Sequence, residues 1–138
     1  MGRISVLTIC MVVSTYVLCW AQAPPNEYYS DNALKVKWVS EYGDDELTRT
    51  EYYSNGNVMN EVAYRDGKLF GIYKTYREDG RIQEEIFYDN DVMHGFYKVY
   101  QENGLVAEEG SYEFGKLEGL QKRYDLKGNV HKEIEYRD

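Results

Sequence analysis

Cysteine is nearly missing from this sequence: Cys10 and Cys19 are the only two, and none follows residue 19. Both fall in a segment that reads as a removable leader, so the remaining chain needs no disulfide even in an oxidising compartment. Histidine is equally scarce. His94 and His131 stand apart, with no cysteine or second histidine at ligand spacing, so no metal site is expected. Asp89-Asn90-Asp91 and Asp44-Asp45-Glu46 are acidic turns, but neither continues into the spaced oxygens and closing glutamate of an EF-hand loop. No serine sits in a nucleophile elbow, and no phosphate-cradling glycine loop precedes a helix. The reading is therefore of a chain without catalytic residues, without a cofactor and not an enzyme. Only segment 24–47, outside the clear period described below, has room for an irregular site.

Positive charge is also in short supply. The chain carries 16 Lys and Arg against 24 Asp and Glu, and loss of the leader removes only Arg3, leaving 15 against 24, or −9. Such a surface is repelled by phosphate backbones and by anionic lipid, which excludes nucleic acid as a partner.

Long apolar runs are limited to one. Arg3 precedes Ile4 to Trp20, and Ala21-Gln22-Ala23 then Pro24-Pro25 follow. Small residues at both ends of that triplet suit a signal peptidase, so residues 1–23 read as a secretory signal peptide and the protein as secreted, periplasmic or otherwise in the cell envelope. The alternative is an uncleaved anchor, since a bilayer span needs roughly 20 residues. Membrane association is expected only in that case. Acylation is disfavoured because Leu18, and not a small residue, precedes Cys19. Residues 24–31 read as a linker.

What is abundant is tyrosine, 15 in all, and it comes at a fixed period. Tyr52, Tyr76, Tyr100 and Tyr124 are 24 residues apart, and so are Tyr64, Tyr88, Tyr112 and Tyr136. Gly56, Gly80, Gly104 and Gly128 keep the spacing, as do Gly71, Gly95 and Gly119. A branched aliphatic recurs at Val58, Ile82, Val106 and Val130, and glutamate at Glu61, Glu85, Glu109 and Glu133. A worn first copy places Asn32, Leu34, Trp38 and Gly43 on the same columns. A period of this length marks a tandem repeat, here spanning 32–138 as a degenerate unit and about four full ones.

Each unit reads as two strands. Ile72 to Tyr76 and Arg81 to Tyr88 flank Glu78-Asp79-Gly80, a three-residue loop closed by a left-handed glycine. The linking turn is Arg65-Asp66-Gly67-Lys68. The expected fold class is all-β: a single elongated, twisted antiparallel sheet of tandem 24-residue β-hairpins. With Arg77 opposite Arg81, a straight register sets Tyr76 against Ile82, Lys74 against Glu84 and Ile72 against Ile86. In the last unit it sets Lys122 against Lys132, so charge pairing fails there.

The motif Asp66-Gly67-Lys68-Leu69-Phe70-Gly71-Ile72-Tyr73-Lys74-Thr75-Tyr76, then Asp79-Gly80-Arg81-Ile82, resembles the MORN repeat variant, in the form found in bacterial YwqK-type antitoxins. The resemblance covers about residues 32–138. It implies stacked hairpins and a non-enzymatic binding or scaffolding role, with an antitoxin or immunity-like protein neutralising a toxin as the alternative.

Alternation puts even-numbered residues on one face, taken as the core, and odd-numbered residues on the other. The expected binding surface is the odd face: Tyr73 and Tyr97 as a stacking platform, with Phe87 and the carboxylates Glu61, Glu85 and Glu109, spaced about 9.5 Å apart. Its expected partner is a protein or a glycan. The charged last strand, with Lys132, Glu133, Glu135 and Arg137, discourages edge pairing, so a monomer or weak dimer is expected.

Overall fold

The computed structural model describes residues 23–40 and 46–137; the leader reading of residues 1–23 therefore falls almost wholly outside the described residues. The described chain is all strand and turn. In order the strands are β1 (Glu27–Tyr28), β2 (Leu34–Ser40), β3 (Glu46–Tyr52), β4 (Val58–Arg65), β5 (Lys68–Tyr76), β6 (Ile82–Asp89), β7 (Val92–Tyr100), β8 (Val106–Glu113), β9 (Lys116–Tyr124) and β10 (Val130–Tyr136). They form one ten-stranded antiparallel sheet in sequence order. Strand β1 lies inside the segment read as a linker, where Tyr28 pairs with Leu34.

Two turn types alternate because the sequence supplies two kinds of left-handed residue. Within units, Arg77 N–H bonds Arg81 O at 2.8 Å around a three-residue loop whose Gly80 has φ +83°. Gly56, Gly104 and Gly128 close the equivalent loops at φ +88°, +85° and +83°. Between units, both residues of a two-residue loop take positive φ: Asp66 and Gly67, Asn90 and Asp91, Phe114 and Gly115. That backbone twist matches the twist of the strands it joins. Phe114 is the costly member, a bulky residue in a region that disfavours it.

The turns are also tied to each other along both sheet margins. The side chains of Tyr29, Tyr53, Arg77 and Gln101, one per repeat, donate to the carbonyls of Tyr52, Tyr76, Tyr100 and Asp125 at 2.7–3.0 Å. At the opposite margin Leu69 N–H donates to Asp91 Oδ1 (2.8 Å) and Gly115 N–H to Met93 O (2.9 Å). Each unit thus holds its neighbour by strand pairing and by stapled turns.

The register differs from the straight one in a consistent way. Tyr76 faces Ile82 as expected, but Thr75 then faces Glu84, leaving Gln83 as a bulge. From there on Lys74 faces Glu85 and Ile72 faces Phe87, not Glu84 and Ile86. The same slip leaves out Met59, Ala107 and His131 in the other units. A second irregularity falls at Gly71, Gly95 and Gly119, which take positive φ inside β5, β7 and β9. Because side chains alternate with period two, one bulged residue exchanges the faces of everything beyond it. The even-numbered set therefore does not share a face. Val36, Val62, Ile86 and Ile134 lie on one side, while Ile72, Phe96 and Leu120 lie on the other.

Candidate functional site

The corrected register brings the charges together. Opposed residues run Glu61, Lys74, Glu85, Lys98, Glu109, Lys122, Glu133 across seven strands, from β4 to β10, without a break in alternation. Within hairpins Lys74–Glu85, Lys98–Glu109 and Lys122–Glu133 approach to 4.0, 4.0 and 3.9 Å. The charge pairing expected to fail in the last unit is therefore present, through Glu133 and not Lys132. Tyr100 and Tyr124 hydroxyls donate to Glu85 (2.7 Å) and Glu109 (2.5 Å). The glutamate column is thus interleaved with lysines, four carboxylates against three ammonium groups, and does not form an unbroken acidic strip. Half-exposed pairs of this kind contribute about 0–1 kcal/mol each, so the ladder's main effect is a fixed charge pattern.

Beside the ladder runs an apolar row. Ile72, Phe96 and Leu120 are 38%, 38% and 48% exposed, one per repeat. Phe87 packs on Phe70 and Phe96 at 6.4 and 6.3 Å between ring centres. Where the row carries Ser111 in place of an aromatic, a groove of about 200 Å³ opens among Phe96, Lys98, Glu109, Ser111, Leu120 and Lys122.

The opposite face holds most of the burial. Val36, Val62, Asn60, Tyr97 and Gln121 are buried there. Tyrosines pair along it: Tyr73 meets Tyr88 edge-on at 6.2 Å, and Tyr97 meets Tyr112 at 5.1 Å. Tyr97, only 4% exposed, lies over Gly110. Its hydroxyl donates to Glu108 Oε1 (2.8 Å) and accepts from Gln121 Nε2 (2.7 Å), while Gln121 Nε2 also reaches Glu108 Oε1 (2.7 Å). Arg123 Nε completes the set at 2.8 Å from Glu108 Oε2.

Burial pushes the Tyr97 phenol up to about 12; the Gln121 bond opposes this and Glu108 reinforces it. Tyr100 also rises to about 12, through burial and then its bond to Glu85. Both values exceed that of an unfolded tyrosine, near 10. The stability tied to these protonated phenols is therefore complete below pH of about 10 and lost as pH rises towards about 12. An ultraviolet phenolate titration should show these two groups ionising only as the sheet unfolds. Ionisation of every tyrosine near pH 10 with the sheet intact would contradict this.

The six residues expected to bind do not form one surface. Glu61, Glu85, Glu109 and Phe87 share the ladder face, whereas Tyr73 and Tyr97 stand on the tyrosine face, opposite Ile86 and Gly110. Tyr97 leaves almost nothing of its ring to a ligand. His94 stacks against Phe114 at 5.3 Å, and Asp91 is engaged by Leu69 N–H. Of the acidic turn at 44–46, Asp44 and Asp45 lie outside the described residues, and Glu46 pairs with Arg65. Among the described residues no three of His, Cys, Asp and Glu gather as metal ligands.

A meander of stacked hairpins with side chains displayed by period is the architecture of a repeat protein, whose surface serves extended contacts. Its units are MORN-variant repeats. Residues 45–66, 71–90 and 117–138 match the MORN repeat variant family. The stretch between the last two keeps the same columns at Gly95, Tyr100, Gly104, Glu109 and Tyr112. No curated protein matches the chain. Among solved structures, a point mutant of S. aureus TarM in complex with fondaparinux, alpha-GlcNAc-glycerol and UDP is 14% identical, with TM-score 0.45, covering 65% of this chain and 18% of that one. A second TarM structure is 15% identical, with TM-score 0.43, covering 58% and 16%. This chain spans less than a fifth of either, and scores this low establish no common fold.

Proposed function

We propose that this chain is a non-catalytic binding or scaffolding protein that holds a protein partner against its ladder face. One observation carries the reading: seven alternating charges in register, bordered by the exposed Ile72, Phe96 and Leu120. A row of exposed apolar side chains with a charged margin is the composition of an interface, apolar at its centre and polar at its rim. The alternating charges set register, because a partner displaced by one strand meets like charge with like. With residues 1–23 acting as an export signal, the partner belongs to the cell envelope or the exterior. Neutralisation of a toxin is one form that such binding takes.

The test is a comparative capture by the full chain from its own envelope extract. The wild type, an Ile72→Ser/Phe96→Ser/Leu120→Ser variant and a Tyr88→Leu variant on the opposite face are compared by quantitative mass spectrometry. A protein held by the wild type and by Tyr88→Leu, and lost from the triple variant with the sheet still folded, is expected. Equal retention by the folded triple variant would overturn the assignment to this face.

A further inference from the structure

A ladder of alternating charge can complement itself. The six charges from Lys74 to Glu133 balance, three ammonium groups against three carboxylates, one on each strand from β5 to β10. Their side chains are 18–51% exposed, and within hairpins the pairs sit at 3.9–4.0 Å, so each charge keeps a side open to a second one. A second copy laid face to face, about a two-fold axis running along the strands, sets the ladder over itself in reversed strand order. Facing sheets lie about 10 Å apart, a gap that a lysine and a glutamate side chain bridge together. With the axis on a strand every charge meets its like. With the axis midway between two strands every charge meets its opposite.

The apolar row selects among those axes. Phe87 faces Ile72 across the strands and packs on Phe96 at 6.3 Å. One repeat later its place falls to Ser111, opposite Phe96, and the groove of about 200 Å³ opens there beside Leu120. The repeat itself thus shows what kind of side chain the groove accepts, a phenylalanine. An axis between β7 and β8 carries Phe96 of each copy over Ser111 of the other. An axis between β6 and β7 also pairs opposite charges, but it sets Phe96 on the other copy's Phe87, where the row is already filled.

We propose that the occupant of the ladder face is a second copy of this chain, docked about a two-fold axis between β7 and β8. The inference rests on the reading of that face as the binding surface and names its partner. Across the interface Lys98 meets Glu109, Glu85 meets Lys122 and Lys74 meets Glu133, each twice. Phe96 enters the Ser111 groove in both directions. Six strands at about 4.8 Å span roughly 29 Å, a footprint at the small end of specific interfaces. The chain's net negative charge opposes the contact as well. The dimer is therefore weak, with a dissociation constant on the order of 100 micromolar.

The test is sedimentation equilibrium of the protein purified as its own cell produces it, with Lys98→Glu, Glu109→Lys and their equimolar mixture. Each variant alone sets like charges across the axis, and its dissociation constant should rise at least about tenfold. In the mixture both contacts across the axis are opposite again, and association should return to within about threefold of wild type. Both chains keep a broken intrachain pair when mixed, so a fold defect is not what mixing repairs. The axis between β6 and β7 gives no such rescue. Ser111→Phe fills the groove from within, as Phe87 does one repeat earlier, and should also weaken the dimer about tenfold. A wild type monomeric up to about 1 millimolar, single variants that associate like wild type, mixing without rescue, or tighter association of Ser111→Phe would each overturn the proposal. A monomeric chain that still captures an extract protein through Ile72, Phe96 and Leu120 sinks this inference alone. Equal capture by the folded triple variant removes the binding face itself, so the two ideas fail separately.

Discussion

Replacing Gly110 with alanine is expected to destabilise the sheet by about 2–3 kcal/mol, among the largest effects of any one-methyl change in this chain. A Cβ on Gly110 would lie 2.8 Å from Tyr97 Cε1 and 3.2 Å from its hydroxyl oxygen. The ring cannot step aside without loss, because Glu108 and Gln121 hold its hydroxyl and the residue is almost wholly buried. Val62, Ile86 and Ile134 fill this column in other units, so glycine here is matched to the tyrosine and not to the strand. Equilibrium denaturation of Gly110→Ala, Tyr97→Phe and the double variant checks the coupling. An alanine variant within about 0.5 kcal/mol of wild type would show that the ring is not held in place.

The same substitution made at two equivalent positions should change stability in opposite directions. Glu108→Gln removes the charge that Arg123 pairs with and sets an amide donor among Gln121 and Arg123, a loss of about 1–2 kcal/mol. Glu84→Gln removes a charge that nothing in the described chain pairs with, and should raise stability at neutral pH. The sign follows from linkage. Burial holds the Glu84 carboxyl above its ordinary range, so the folded chain binds that proton more tightly than the unfolded one. Above the raised value the half-buried charge weakens the fold, and acidification through that value relieves it. The advantage of Glu84→Gln should therefore shrink as pH falls, while that of an uncharged control elsewhere stays put. Thermal unfolding of both variants across the acid range measures this. Equal destabilisation by both would mean that Glu84 has a partner after all.

Much of this was legible beforehand. The glycines at 56, 80, 104 and 128 announce three-residue loops, and Arg77 does meet Arg81 as the loop requires. The column Tyr29, Tyr53, Arg77 and Gln101 was there to be found as well, since a long polar side chain precedes each such loop but the last, where Asp125 stands. What misled was the assumption of an unbroken strand. It paired Lys74 with Glu84, left Lys122 against Lys132, and gathered Tyr73, Tyr97 and Glu85 onto one surface. None of these neighbourhoods exists, because Gln83, Ala107 and His131 drop out of the ladder. The bulged positions carry Met59, Gln83, Ala107 and His131, which share no size, charge or turn propensity.

The sequence by itself determined the period, the two turn types, the order of the strands and the MORN-variant character of the units. These rest on local chemistry: glycine at positive φ, tyrosine and branched residues in strands, each repeated until chance is excluded. Only the tertiary structure decided which side chains are neighbours. Alternation has a period of two, so a single bulged residue inverts a face, and where the bulge falls depends on hydrogen bonds between strands that no short stretch of sequence encodes.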